Sequence, residues 1–338
     1  MAVTVAFMGF RHPHIFGLYG YVQENKDFLT AASCEEDDQT RSKLQKEGKI
    51  LLTHDSYEKM LEEADFSILL VGDYYSKRGA IVKRAIEAGK HVFCDKPLCT
   101  NLSDLEEIQR LADKTGRMVG LFTELRYHGN FIKVRELITN GEIGEVHSIF
   151  FGAQHPLILD TRPKWYGEEG KHGGTINDLI IHATDSLVWM TGKRFIRVDA
   201  ARCWNAGIPH MPHFKNAAHV MLTMENNCGV LGDLTYMVPD SFGYKVPLYW
   251  RMTFWGEKGT IETGVNSPDV ALYREGETEV RHIPPAESVS GGAINALVRR
   301  INGKERSSDA SQQEIFEASR IGLKAQQAAD QNLCRLTL

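Results

Sequence analysis

The sequence predicts an α/β protein of two domains, the first built on a parallel sheet and the second on a largely antiparallel sheet. The chain has 338 residues, more than one hydrophobic core usually organises. Up to about residue 122, apolar strand-like runs alternate with amphipathic helical stretches, which is typical of a parallel sheet covered on both faces. Beyond that point, strands follow one another across Gly, Asn and Pro turns. The predicted domains are residues 1–122 and 123–338.

The elements of the first domain follow from the spacing of apolar residues. Continuous apolar runs indicate strands buried on both faces, and apolar residues three and four apart indicate helices. The predicted strands are Val3–Met8, Phe28–Ser33, Phe66–Val71, His91–Cys94 and Met118–Phe122. The predicted helices are Ile15–Glu24, Asp37–Glu47, Ser56–Glu62, Lys77–Ala88 and Asn101–Lys114.

In the second domain, glycine marks the ends of two helices, because Gly141 follows the first and Gly192 the second. The predicted helices are Phe131–Asn140, Gly174–Met190 and an Ala-rich last helix, Ser311–Asp330. The predicted strands are Val146–Ala153, Val198–Cys203, Ala218–Thr223, Val230–Tyr236, Trp250–Trp255, Thr260–Thr263 and Val270–Tyr273.

Composition and charge argue against a nucleic-acid-binding protein and against a membrane protein. The net charge is -5 and no cluster of Lys and Arg stands out, which argues against a nucleic-acid partner. The first residues lead directly into a strand without a signal peptide. The longest apolar runs are far shorter than the roughly 18 residues that a membrane span needs. We therefore expect a cytoplasmic protein that binds neither nucleic acid nor membrane, with its 6 cysteines reduced.

The turn after the first strand is the expected place for a dinucleotide pyrophosphate. It reads Gly9-Phe10-Arg11-His12-Pro13-His14, and only Gly9 fits the three-glycine fingerprint. Helix N-terminal amides hold phosphate, and an arginine beside them would add a charged donor. The alternative interpretation is an ordinary strand-to-helix turn with exposed side chains.

An acidic segment ends the second strand. In a dinucleotide fold, a carboxylate here accepts a hydrogen bond from the ribose 2′-hydroxyl and repels a 2′-phosphate, which favours NAD over NADP. Glu35 is the candidate for this contact. Glu36 and Asp37 have a competing interpretation, as caps of the next helix.

Four motifs resemble those of the Gfo/Idh/MocA family, named after glucose-fructose oxidoreductase, inositol dehydrogenase and a rhizopine-catabolism protein. The segment EAGKHVFCDKPL at 87–98 is similar to the family's "EAGKHV…EKP", with Asp95 in place of the usual Glu. Residues 173–185 resemble its "GG…D…H…D" helix, residues 120–127 its "VG…RY" strand end, and residues 255–262 its "GxxGxxE" hairpin. The motifs follow the family's order.

The resemblance implies an N-terminal Rossmann dinucleotide-binding domain and a C-terminal α/β domain with a large, mostly antiparallel open sheet that often serves oligomerisation. It further implies NAD as cofactor, a homodimer or homotetramer, and a cis peptide bond before Pro97. Asp73 lies where the family usually has a Thr-Pro-Asn type turn, and Glu124 lies near a position often occupied by Asn. The cofactor-binding candidates are Gly9, Phe10, Arg11, His12, Glu35, Asp73, Asp95, Lys96 and Glu124.

Three residues are candidates for catalysing alcohol oxidation. This reaction needs a base and a group that stabilises the developing alkoxide. Asp178 and His182 are four residues apart and share one face of a helix. His182 is the candidate general base and acid, Lys96 the group that lowers the pKa of the hydroxyl, and Asp178 the anchor of a neighbouring hydroxyl. A core histidine bonded to Asp178 and a solvated strand-end lysine are the alternatives. The substrate-binding candidates are Lys96, Arg126, Tyr127, Trp165, His172, Asp178 and His182.

The functional prediction is an NAD(H)-dependent oxidoreductase that moves a hydride to or from a secondary hydroxyl of a sugar, inositol or sugar derivative. Two alternatives remain open: a glycosidase that uses NAD for transient redox at a sugar carbon, and a non-catalytic sensor of NAD or sugar. His210, His213 and His219 resemble a metal cluster, but Pro212 interrupts them and no acidic residue is near in sequence, so we predict no metal.

Overall fold

The chain divides into two compact units. The computed structural model describes residues 2–247 and 249–338, so Met1 and Leu248, which lie inside the predicted domain ranges, are outside the described residues. The first unit comprises Met1–Phe122 with Gly291–Phe316, and the second comprises Thr123–Ser290 with Glu317–Leu338. The predicted second domain was continuous, whereas residues 291–316 pack in the first unit.

The first unit contains a parallel sheet, as predicted. Among the described residues its strand order is β2-β1-β3-β4-β5, with all pairs parallel. The strands are β1 (Val3–Met8), β2 (Phe28–Cys34), β3 (Ile68–Val71), β4 (His91–Cys94) and β5 (Val119–Leu121). The helices are α1 (His14–Glu24), α2 (Asp38–Glu47), α3 (Tyr57–Glu63), α4 (Tyr75–Glu87) and α5 (Leu102–Thr115). In such a sheet, ligands bind at the carboxyl ends of the strands, where the strand order reverses.

The second unit contains the larger sheet. Its strand order in the described part of the chain is β13-β12-β11-β10-β6-β9-β8-β7-β14. Every pair is antiparallel except β6 with β9. Its strands are β6 (Val146–Pro156), β7 (Phe195–Trp204), β8 (Ala217–Met224), β9 (Cys228–Val238), β10 (Tyr249–Gly256), β11 (Gly259–Thr263), β12 (Val270–Arg274), β13 (Arg281–Ile283) and β14 (Leu336–Thr337). The predicted fold class is therefore confirmed.

The remaining helices are α6 (Gly129–Thr139), α7 (Thr175–Thr191), α8 (Gly292–Ile301) and α9 (Gln312–Gln331). The prediction omitted α8, which packs in the first unit beside β5. Arg300 of α8 donates to the carbonyl of Val119 at 3.3 Å. A Cβ on Gly120 would lie 3.1 Å from Leu297, so the glycine allows this close approach. The helix returns to the first unit because its apolar face fits the edge strand of that sheet.

Helix α7 is buried on nearly all sides. It packs against β6, β8 and β9, and every residue from Thr175 to Leu187 is buried. A helix enclosed in this way must give each polar side chain a partner or a function. Asp178, His182 and Asp185 are such side chains. Among the described residues, no helix is long and apolar enough to cross a membrane.

Candidate active site

In the first unit, the candidate cofactor residues lie at the carboxyl ends of neighbouring strands. Gly9 follows β1, Glu35 follows β2, Asp73 lies two residues beyond β3, and Asp95 follows β4. Gly9 has a φ of 79°, and a Cβ there would lie 2.6 Å from the Cβ of Asp73. Only glycine lets these two strand ends approach so closely. This packing explains why Gly9 remains from the three-glycine fingerprint.

Glu35 is fully buried and braces the turn after β1. Its Oε2 accepts from the backbone N–H of Phe10 at 2.7 Å, and its Oε1 accepts from that of Asp37 at 2.9 Å. Burial raises the pKa of Glu35, against the lowering effect of these two donors. In this structure the carboxylate predicted to contact the ribose therefore holds the turn after β1 in place.

His12, His14 and Arg78 surround the Asp95 carboxylate. His12 Nδ1 and Arg78 Nη2 lie 2.5 Å and 3.0 Å from Oδ2, and His14 Nδ1 lies 3.0 Å from Oδ1. On its other side, His12 Nε2 lies 3.1 Å from the hydroxyl of Tyr75. The three potential ligand atoms of His12, His14 and Asp95 lie within 4.8 Å of one another. The positive charge of Arg78 opposes a metal ion there.

Burial and the positive charge of Arg78 determine the protonation states of His12 and Asp95. Burial lowers the pKa of His12 to about 3, although Asp95 opposes the shift. Burial alone would raise the pKa of Asp95, but His12 and Arg78 outweigh it and hold that pKa well below its usual range. At neutral pH the cluster therefore contains an ionised Asp95, a charged Arg78 and a neutral His12.

We expect the first unit to lose stability in mild acid because of His12. Above its ordinary pKa of 6.5 the imidazole is neutral in both folded and unfolded chains, and between 6.5 and about 3 only the unfolded chain binds the proton. Lowering the pH from 7 to 5 should therefore cost about 1 to 2 kcal/mol of unfolding free energy through this group. Urea titrations of the wild type and His12→Gln at both pH values measure the difference. If the unfolding free energies of the two proteins depended equally on pH, this prediction would be wrong.

Lys96 lies beside this cluster, on the segment that leaves β4. It is 4% exposed, and the Lys96–Pro97 peptide bond is cis, as expected. Arg78 Nη1 donates to the carbonyls of Asp95 and Lys96 at 2.8 Å and 2.5 Å. Asp73 is also buried and pairs with Lys77 at 3.2 Å. The arginine thus fixes the backbone on which the candidate catalytic lysine is carried.

The residues at the carboxyl ends of these strands would bind a dinucleotide through their side chains more than through their backbone amides. The amides of Arg11 and His12 both donate to the carbonyl of Gly72, at 3.1 Å and 3.0 Å, and that of Phe10 is used by Glu35. The Arg11 side chain lies at the same turn, 3.4 Å from Asp37 and over the ring of Tyr74. A guanidinium next to the start of α1 suits a pyrophosphate.

In the second unit, the start of α7 is set by Gly174 and Gln326. Gly174 has a φ of 100°, and a Cβ there would lie 2.1 Å from Cδ of Gln326. Oε1 of Gln326 accepts from the amides of Ile176 and Asn177 at 3.0 Å and 3.3 Å. A side chain from α9 therefore caps α7, and the glycine is required for its approach. This fixes the depth at which Asp178 and His182 lie.

Asp178 is fully buried next to His172 and Tyr236. His172 Nε2 lies 3.4 Å from Oδ2, and the Tyr236 hydroxyl donates to the same oxygen. Burial, followed by the charge of Asp178, raises the pKa of Tyr236 well above its usual value. Tyr236 is therefore a neutral donor at working pH. The structure brings together two separately predicted substrate candidates, Asp178 and His172, and adds Tyr236 from β9.

His182 lies one turn further along α7. It is 8% exposed and its ring meets that of Trp250 edge-on, with centroids 5.1 Å apart. Trp250 has a left-handed φ of 52°, at a bulge where β10 pairs with β6. A large residue in this conformation is strained, and strained residues are found most often at functional sites. The same indole meets the ring of His155 at 5.6 Å.

The other substrate candidates of this unit are also buried. Arg126 Nε donates to Oδ2 of Asp185 at 2.8 Å, with both side chains about 1% exposed. This pair ties the predicted "RY" segment to α7. The Tyr127 backbone accepts from Val289 at 2.9 Å, and Glu124 is half-buried just before the same turn. The substrate and cofactor contacts expected of these residues stay predictions.

The ring of Trp165 lies 4.3 Å from that of Tyr166, which in turn lies 4.9 Å from His172. These rings form an apolar wall beside the Asp178 cluster. His213 and His219 are at least half exposed, and their nearest carboxylates are 3.9 Å and 3.7 Å away. Within the described residues, the predicted histidine motif does not form a group able to hold a metal.

Four residues of these clusters were not singled out by the sequence: Arg78, Tyr236, Trp250 and His155. Arg78 is fully buried on α4, and a helical arginine gives no signal of burial. Tyr236 and Trp250 were placed in strands without a role. Only aromatic residues at the ends of β9 and β10 could have drawn attention to them, because their partners are distant in sequence.

Two family models match the chain. Residues 18–123 match the oxidoreductase family with an NAD-binding Rossmann fold, and residues 131–262 match the GFO/IDH/MocA C-terminal domain. Together they cover more than half of the chain. An inositol 2-dehydrogenase of Gluconacetobacter diazotrophicus is 26% identical over 232 residues, which are 68% of this chain and 63% of that protein. A D-xylose dehydrogenase of Paenarthrobacter nicotinovorans is 26% identical over 40% of this chain and 36% of its own length. Both matches span less than two thirds of the relative.

Solved structures share the fold over the whole chain. An inositol dehydrogenase homolog of Azotobacter vinelandii, complexed with NAD+, superposes with a TM-score of 0.81 at 17% identity, covering 100% of this chain and 98% of that one. The myo-inositol 2-dehydrogenase of Lactobacillus plantarum gives 0.77 at 17% identity and covers 100% of both chains. The chain therefore belongs to the Gfo/Idh/MocA family of oxidoreductases, and its first domain is an NAD-binding Rossmann fold.

Proposed function

We propose that this protein transfers a hydride between NAD(H) and a secondary hydroxyl of a sugar, inositol or related polyol. The observation that carries the proposal is the buried Asp178, which accepts from Tyr236 and lies 3.4 Å from His172 Nε2. Removing a carboxylate from water costs several kcal/mol of folding free energy unless hydrogen bonds or opposite charges compensate for it. Its position, four residues before His182 on one helix, matches the need for a hydroxyl anchor beside a base.

In this proposal, His182 accepts the hydroxyl proton during oxidation and returns it during reduction. Nδ1 of His182 is shut off from solvent, so Nε2 is the atom that would hold the proton. Asp178 accepts from a neighbouring hydroxyl and so orients the carbinol carbon. Lys96 supplies a positive charge that favours the alkoxide. Bound NAD+ supplies the hydride acceptor, and Arg11 and the turn at Gly9 would hold its phosphates.

NAD is proposed over NADP because acidic residues line the end of β2. Glu36 pairs with Lys77 at 2.8 Å, and Asp37 lies 3.4 Å from Arg11. Carboxylates here disfavour a 2′-phosphate. The homodimer or homotetramer and the cytoplasmic location stay predictions.

A substrate screen with the purified full chain tests the proposal. Sugars, inositols, sugar acids and glycosides are mixed with NAD+ or NADP+, and nicotinamide reduction and product release are followed separately. We expect NAD+ reduction with a polyol. Glycoside cleavage without net reduction would favour the redox-assisted glycosidase instead. Tight NAD binding with neither activity would favour the sensor.

A further inference from the structure

Arg162 occupies a tightly wound turn that follows β6 in the second unit. Its amide donates to the carbonyl of Ile158 at 3.0 Å, and Ile158 has a left-handed φ of 48°. A β-branched residue rarely adopts this conformation, which costs on the order of 1 to 3 kcal/mol. The Ile158 amide is held by Oδ1 of Asp240 at 2.7 Å. The chain thus uses strain to set the position of this arginine.

Three of the five guanidinium N–H groups of Arg162 are used within the turn and its neighbours. Nε donates to the carbonyl of Leu157 at 2.8 Å, and Nη2 donates to the carbonyl of Pro156 at 2.9 Å and the hydroxyl of Tyr244 at 3.2 Å. Within residues 2–247 and 249–338, no carboxylate pairs with this half-buried cation and Nη1 makes no hydrogen bond. The two N–H groups of Nη1, on a permanently charged guanidinium, therefore remain for a ligand.

Arg162 is connected to the Asp178 cluster through aromatic rings. Its guanidinium carbon lies 5.0 Å from the ring centroid of Tyr166 and 5.6 Å from that of Tyr236. The Tyr236 hydroxyl donates to Asp178, and the ring of Tyr166 lies beside His172. The Tyr236 side chain thus contacts the positive charge at its ring and the Asp178 carboxylate at its hydroxyl. Two groups placed on one phenol side chain suit the two ends of a single sugar.

We propose that Arg162 binds the carboxylate of a sugar acid, so that the substrate is an aldonate or uronate rather than a neutral polyol. The inference rests on the proposed function and names the substrate class of the same site. In this arrangement the carboxylate accepts from Nη1 while a hydroxyl of the same molecule donates to Asp178. A neutral sugar offers Nη1 only hydroxyl oxygens, which accept weaker hydrogen bonds than a carboxylate does.

The charge balance favours a carboxylate over a phosphate ester. A phosphate monoester carries between one and two negative charges near pH 7. One guanidinium supplies a single positive charge, and the nearby Asp178 adds a negative one. A carboxylate matches this single charge and accepts a charge-assisted hydrogen bond from Nη1.

Equilibrium binding to the full chain in the presence of NADH tests the assignment without turnover. Matched ligands are glucose, glucuronate, gluconate and glucose 6-phosphate, with the corresponding galactose series. We expect a sugar acid to bind at least about 10-fold more tightly than its neutral partner, and Arg162→Gln to weaken that acid about 10- to 100-fold while changing the neutral sugar less than about 3-fold. Arg162→Lys, which keeps the charge without the fork, should fall between these values.

Arg202→Gln is the matched control, since Arg202 is an exposed arginine of the same unit that also stacks on an aromatic ring, at 4.9 Å from Trp204. It should leave both affinities unchanged. Equal weakening of acid and neutral ligands by Arg162→Gln would assign the arginine to loop structure and overturn the proposal. Failure of every acid to bind, or a preference for the phosphate ester, would also overturn it.

Following NAD+ reduction with the same ligands separates the two proposals. Binding of an acid through Arg162 without any redox reaction would contradict the proposed function and support the Arg162 assignment. Oxidation of neutral polyols at a rate that Arg162→Gln leaves unchanged would support the proposed function and contradict the Arg162 assignment.

Discussion

The His182→Ala variant is expected to lose about 10²- to 10⁴-fold in kcat, the usual contribution of a positioned general acid–base group. The physical reason is that His182 lies on the buried helix α7, one turn after Asp178, with its ring held edge-on by Trp250. Water cannot readily replace it in such an enclosed place. Steady-state rates of NAD+ reduction across pH 6 to 9 measure the loss.

Two further variants make this result specific. Lys96→Ala should lose about 10²- to 10³-fold, because it removes the charge that favours the alkoxide. His219→Ala is the control, since His219 is a largely exposed histidine of the same unit. A His182→Ala enzyme that keeps more than a tenth of wild-type kcat would exclude His182 as the base. In that case His172, which lies 3.4 Å from Asp178, would be the next candidate.

Replacement of Arg78 by methionine should lower the unfolding free energy by about 3 to 5 kcal/mol, a large part of the stability of a typical domain. Arg78 is fully buried and donates to the carbonyls of Asp73, Asp95 and Lys96 as well as to the Asp95 carboxylate. Its loss leaves a buried charge without its permanent partner and several carbonyls without donors. Urea unfolding at pH 7.5 measures the effect.

The matched control is Arg110→Met, because Arg110 lies on α5 of the same unit and pairs with Glu107 at the surface. That variant should unfold at the same urea concentration as the wild type. Arg78→Lys keeps a charge but offers fewer donors, and its stability should lie between those of wild type and Arg78→Met. If Arg78→Met lost less than about 1 kcal/mol, water would be entering this cluster and the described contacts would contribute little.

Loss of Arg78 should also weaken NAD binding, because the arginine holds the backbone that carries Lys96. Fluorescence titration with NADH on the folded Arg78→Lys protein measures this effect. Unchanged affinity would mean that the turn after β4 is fixed by its other contacts, including those of Asp95 with His12 and His14.

Local patterns in the sequence determined the strands of the first sheet, the helix that carries Asp178 and His182, and the strand end that carries Lys96. These features depend on the period of apolar residues and on spacings of a few positions, which a chain displays before it folds. Length and the change of pattern near residue 122 predicted two domains, and the family motifs implied the NAD-binding Rossmann fold. The two sheets confirm the fold class, and the family matches confirm the NAD-binding domain.

Only the tertiary structure decided how the polar side chains are used. Tyr236 and Asp178 are 58 positions apart, and the Arg78 and Asp95 side chains are 17 apart on different elements. Both oxygens of Glu35, the residue predicted to contact the ribose, accept from backbone amides of the folded turn, and its contact with the ribose stays a prediction. A carboxylate or a guanidinium looks the same in sequence whether it meets solvent, backbone or ligand. Its partner is set by which segments the sheets bring together, and local periodicity carries no information about that.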